Sequence, residues 1–119
     1  MEYLALIYGD ESGWESLQDD DRAEIYSRYA AFAREAREAG VMTGGDELAG
    51  TAAATTVRVR EAQVAVTDGP FAATKEALGG FFLLDCNSLD EALGWAARIH
   101  AAEHGAVEVP AVHIDPEEV

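Results

Sequence analysis

Lysine is nearly missing from this 119-residue sequence. Lys75 stands alone, and with the arginines it makes 8 basic residues against 23 acidic ones, a formal charge of −15. Arg22, Arg28, Arg34, Arg37, Arg58, Arg60 and Arg98 are scattered, so they form no stripe along which a phosphate backbone could be neutralised. Nucleic acid and anionic membranes are therefore disfavoured as partners, and the acidic surface serves solubility. Cysteine is scarce too: Cys86 has no partner for an intramolecular disulfide, which fits a reducing compartment. Long apolar runs are also lacking. Tyr3 to Tyr8 falls far short of the roughly 20 residues that cross a bilayer, and no basic n-region precedes it, so a cytoplasmic protein is expected.

What remains is the composition of a soluble globular chain, 49% hydrophobic and 26% charged, with no room for a second domain. A single domain over residues 1–119 would bury roughly 65% of its unfolded surface, enough for a core without metal or disulfide. Tyr3 to Tyr8, continuously apolar and stopped by Gly9-Asp10, reads as a central strand buried on both faces. Asp19, Asp20 and Asp21 offer helix caps ahead of a stripe of Ile25, Tyr29, Phe32, Ala33 and Ala36, which predicts a helix over 22–39 ended by Gly40. Val41 to Leu48 is expected as a strand bulged at Gly44-Gly45, and residues 49–55 as a loop. Val57 and Val59, then Val64 and Val66, alternate with polar residues as a hairpin with one wet face and a turn of open type at Glu61-Ala62.

Phe81 to Cys86 is a further apolar strand, and Ser88 with Glu91 forms a capping box for a helix reaching Gly105. Val107, Val109 and Ala111 make a last strand that Pro110 confines to an edge or a bulge, and residues 113–119 read as a frayed acidic tail. The order β-α-β-(ββ)-α-β predicts an α+β, ferredoxin-like fold with an antiparallel sheet and both helices on one face. Leu4 to Tyr8 and Phe81 to Leu84 nevertheless call for cover on both faces. A second copy packed sheet against sheet, hence a homodimer, is the economical way to supply it.

The most distinctive stretch is Thr67 to Leu84. Asp68-Gly69 is a turn pair, and Pro70 forces Gly69 out of the helical region, so the chain bends there. Gly79-Gly80 opens the strand that follows, at a place of close backbone approach. Asp68-Gly69-Pro70-Phe71 with Thr74-Lys75-Glu76 and Leu78-Gly79-Gly80-Phe81 resembles the signature of DGPF-domain proteins of the YCII-related family. Leu6-Ile7-Tyr8-Gly9-Asp10, Val57-Arg58-Val59-Arg60, Leu89-Asp90-Glu91-Ala92 and Val107-Glu108-Val109 extend the likeness over nearly the whole chain. The resemblance implies a dimeric α+β barrel. Catalytic relatives in that wider group are ascribed a His–Asp pair with the histidine in the first helix, where this chain has Tyr29 and no histidine at all.

Asp68 is the candidate acid–base group, and Tyr8, Tyr29, Gly69, Pro70, Phe71 and Lys75 are the candidate ligand-binding residues. A carboxylate and an ammonium beside a stiffened turn can hold or protonate a small polar molecule, and Tyr8, Tyr29 and Phe71 can wall a pocket. Plainer readings stand beside these: Asp68 satisfying turn amides, Lys75 pairing with Glu76, the aromatic rings packing in the core. A small-molecule or partner-binding module is the first functional reading, and a lyase or isomerase using Asp68 the second.

His100-Ala101-Ala102-Glu103-His104 matches an inverted zinc-protease pattern, but zinc needs a further ligand and an open cleft, and His113 is the only other histidine. Histidines at a helix end are explained by the free carbonyls and the dipole there, so no metal and no cofactor is expected. Cys86 reads as a buried, inert thiol.

Overall fold

The computed structural model describes residues 1–72 and 74–112; the acidic tail and His113 lie outside them. The strands are β1 (Glu2–Asp10), β2 (Met42–Glu47), β3 (Thr55–Arg60), β4 (Gln63–Asp68), β5 (Glu76–Asp85) and β6 (Ala106–Glu108). The helices are α1 (Glu11–Glu15), α2 (Asp19–Glu38), α3 (Leu89–Ala96) and α4 (Ala101–His104). β2, β5, β1 and β6 lie side by side in that order, every pairing antiparallel, while β3 and β4 form a separate two-stranded sheet. This is the strand order of a ferredoxin-like α+β fold with a hairpin inserted between its second and third sheet strands.

Alternation along β1 and β5 sorts the two faces. Tyr3 pairs with Leu84 and Ala5 with Phe82, all four buried. Leu4 pairs with Leu83 and Leu6 with Phe81, all four half-buried on the opposite face. The first set joins Phe32 and Ala36 of α2, Ala92 and Ala96 of α3, Ile99 and Ala101 in one core. Within it the Phe32 ring lies 4.9 Å from Phe82 and 6.1 Å from Trp95. Each such aromatic pair adds about 0.5–1.5 kcal/mol beyond its area burial.

β2 is bulged between Met42 and Gly44, and Gly45 and Gly80 let it close on β5. A Cβ on Gly45 would stand 2.7 Å from the Phe81 carbonyl oxygen, and one on Gly80 2.9 Å from that of Asp46. Close approach is thus real at Gly45 and Gly80, whereas Gly44 and Gly79 have ordinary clearance.

Several details differ from the sequence expectation. α2 begins three residues early because Gln18, not an aspartate, is the cap, its N–H bonded to Asp21 Oδ2 at 3.4 Å. Between the first strand and α2 lies a short helix that the sequence patterning did not predict, α1, which Asp10 caps by accepting from the Ser12 N–H at 3.0 Å. The second long helix is two pieces, joined by i→i+3 bonds from Arg98 to Trp95, Ile99 to Ala96 and Ala102 to Ile99. The hairpin is exposed on both faces, not one: Val57, Val59, Val64 and Val66 are 55–67% accessible. Its turn places Glu61 and Ala62 at φ of 52° and 62°, the two left-handed residues of a type I′ connection. The radius of gyration is 16.4 Å, against about 13.5 Å for a compact chain of this length. The molecule is a slab 18 Å thick.

Candidate functional site

Where α2 diverges from the open end of the sheet, a cavity of about 740 Å³ lies between them. Its floor is the helix-facing side of the sheet at Ile7, Met42, Gly80 and Phe82. Its roof is the N-terminal half of α2, where Ile25, Tyr26, Tyr29 and Ala33 recur at helical spacing and so face one way. α1 closes one side with Trp14, the Leu48–Gly50 loop another, and His100, Ala101 and His104 stand at the far end.

The walls are held by specific contacts. Trp14 meets Tyr26 edge to face at 5.4 Å, and Arg22 donates to the Trp14 carbonyl through Nε at 3.2 Å and Nη2 at 3.1 Å. Glu11 ties α1 to the loop by accepting from the Thr51 hydroxyl at 2.6 Å and the Thr51 N–H at 2.7 Å. These two bonds hold its carboxyl below the ordinary carboxylate range. Asp10 is lowered similarly, by the Ser12 hydroxyl and N–H first and by the charge of Lys75 to a lesser extent. Tyr26 donates to Glu47 at 2.8 Å, which raises its own hydroxyl pKa. Tyr29 is raised chiefly by burial and sits 6.4 Å from the Phe82 ring and 6.1 Å from His100.

His100 has Arg28 Nη1 3.0 Å from its Nδ1. A guanidinium only donates, so Nδ1 is the acceptor and the neutral ring carries its proton on Nε2. Burial, His104 and Arg28 together hold its pKa below 6.5.

The structure divides the sequence-derived candidates. Tyr8 and Tyr29 both line the cavity. Tyr8 also donates to Glu108 Oε1 at 3.5 Å. Asp68, Gly69, Pro70 and Phe71 do not line it; they form an exposed corner where β4 ends. Gly69 has φ of 101°, its N–H bonds to the Ala54 carbonyl at 2.7 Å, and its carbonyl accepts from Thr56 Oγ1 at 2.8 Å. Only glycine takes that backbone without cost. Phe71 is 75% exposed, with the Arg58 guanidinium 5.0 Å above its ring. Lys75 is exposed and lies close enough to Asp10 to stabilise its carboxylate. Trp14, Tyr26 and His100 were missed as wall residues. For Trp14 a usable signal exists in Asp10-x-Ser12, the cap that starts α1.

His100, Glu103 and His104 do bring three ligating atoms within 4.8 Å of one another, so Glu103 supplies the further ligand that the sequence pattern lacked. Arg28 works against a cation there: besides its bond to His100 it lies 3.7 Å from Glu103 Oε2.

A family model for the YCII-related domain matches residues 1–114. The chain belongs to the YCII-related family. An uncharacterised protein of Rhizobium meliloti (strain 1021) is 42% identical over 102 residues, which cover 86% of this chain and 82% of that protein. The cavity of this YCII-related chain lies wholly within the matched residues, between Ile7 and Gly105. No helix among the described residues is long and apolar enough to cross a membrane.

Proposed function

We propose that this YCII-related chain is a binding module for a small, largely apolar molecule, working as a cytoplasmic homodimer. The cavity carries the reading: about 740 Å³ lies within the roughly 300–1,000 Å³ typical of small-molecule sites. Its walls join the aromatic rings of Trp14, Tyr26, Tyr29 and Phe82 to polar groups that include Asp10, Arg37 and His100. Lys75 stands close to Asp10 of the cavity wall, and the exposed Asp68-Gly69-Pro70-Phe71 corner resembles the signature of DGPF-domain proteins. Acid–base chemistry by Asp68, the lyase or isomerase reading, would have to take place outside the cavity, at that exposed corner.

The dimer is supported by the outer sheet face, where Leu4, Leu6, Phe81 and Leu83 stand together, and by the exposed valines of the hairpin. Sedimentation velocity at micromolar concentration tests it, and a single species near 12.7 kDa refutes it. For the cavity the probe is naphthalene. Saturable quenching of Trp14 fluorescence with one molecule per chain, abolished by Ala33→Phe, is expected; titration without saturation overturns the reading.

A further inference from the structure

We propose that the cavity takes a neutral carbonyl compound, whose oxygen is received by two hydrogen-bond donors, the Tyr29 hydroxyl and the His100 Nε2–H. The inference rests on the cavity being a ligand site and adds the chemistry of what enters it.

Tyr29 on α2 and His100 at the start of α4 are brought to the same end of the cavity, their rings 6.1 Å apart and inclined at 73°. His100 has its accepting nitrogen engaged by the protein. Arg28, from α2, occupies His100 Nδ1 at 3.0 Å and so fixes the tautomer that leaves a proton on Nε2. The imidazole is therefore left with a proton to offer on Nε2, and the Tyr29 hydroxyl can donate beside it. Burial keeps the phenol neutral and the imidazole uncharged near neutral pH. The pair therefore presents donors without a net charge, and a ligand whose apolar body fills the cavity would exclude water from them, so that a hydrogen bond to its oxygen counts for more.

The charge around the space selects further. Asp10, Glu11, Asp46 and Glu47 are among its lining residues beside Arg37, so acidic residues outnumber basic ones around it. The chain as a whole carries −15. A carboxylate or sulfonate ligand is repelled by that field, whereas a neutral ketone, aldehyde or ester meets the donors without the penalty. Arg28 is a positioning residue here: it touches the imidazole, not the ligand.

The test compares naphthalene with 2-acetylnaphthalene, which differ by one carbonyl group, on the full chain and on Tyr29→Phe and His100→Phe. Both variants keep a ring and remove a donor. Wild-type protein should prefer the ketone, and each variant should cut the ratio of ketone to naphthalene affinity about 2- to 12-fold, the worth of one neutral hydrogen bond. Equal affinity of wild-type protein for the two probes, or parallel loss of both in the variants, overturns the donor pair while leaving the cavity a binding site. Failure of naphthalene itself to bind removes the site and this inference with it. Nitrogen-15 chemical shifts of the wild-type imidazole give a readout that needs no variant to fold. A protonated Nε2 with bare Nδ1 is expected, collapsing toward a tautomer mixture in Arg28→Met, and a protonated Nδ1 in the wild type refutes the proposal.

Discussion

Ala33→Phe separates a real void from a merely loose surface. Ala33 faces the cavity from α2, one turn beyond Tyr29. Burying a phenylalanine side chain contributes about 1.5–3 kcal/mol. Against this stand about 0.5 kcal/mol of poorer helix propensity and about 0.5–1 kcal/mol of lost rotamer freedom. The new ring enters about 740 Å³ of open space, so the balance runs from neutral to roughly 2 kcal/mol of added stability. Were Ala33 instead packed as tightly as Ala36, the same ring would cost about 1–3 kcal/mol through displaced neighbours. The two cases differ in sign. Urea unfolding followed by far-ultraviolet circular dichroism measures it, with an unchanged m-value confirming that the same surface is exposed. A destabilisation above about 1 kcal/mol refutes the void, since overpacking is the remaining cause.

Leu84 is fully buried between sheet and helices, so Leu84→Ala should lower the unfolding free energy by about 2–5 kcal/mol, read from the urea midpoint. His100 should make stability depend on pH. Its pKa is depressed from 6.5 by burial, by His104 and by Arg28, against smaller opposing effects of Glu103 and Glu24. The unfolded chain thus binds the proton first; stability is complete above 6.5 and falls as the pH drops toward the folded value, and His100→Gln should flatten the dependence. Replacing Glu61-Ala62, both at positive φ, by Asn-Gly relieves about 1–2 kcal/mol of left-handed strain per residue. The hairpin amides should then exchange with deuterium more slowly, and unchanged exchange would count against the turn geometry.

The framework was legible because its signals are local. β1 and β5 announce themselves as apolar runs, α2 as a stripe of Ile25, Tyr29, Phe32 and Ala36, and α3 by the Ser88 cap that accepts from the Glu91 N–H at 3.2 Å. The cavity was legible only in part. Tyr8 and Tyr29 lie on elements whose facing the period reveals, but Trp14 depends on a five-residue helix too short for periodicity to mark. His100 was read as a helix-end residue because a continuous helix was expected, and its contact with Arg28 spans 72 positions in sequence. The Asp68–Phe71 corner carries the strongest turn chemistry in the chain, yet turn chemistry fixes a bend and is silent on what the bend faces.

The seam between α3 and α4 has an evolutionary consequence. The bearing of His100 around the helix axis is set by the tightened turns that bond Arg98 to Trp95 and Ile99 to Ala96, and each residue added to or removed from such a segment rotates everything beyond it by about 120°. One insertion or deletion between Ala97 and Ile99 would therefore swing the imidazole away from Arg28 and the cavity while leaving the sheet untouched. Relatives that differ in length at this seam should differ in the shape of this end of the cavity even where the strands of their sheets are the same.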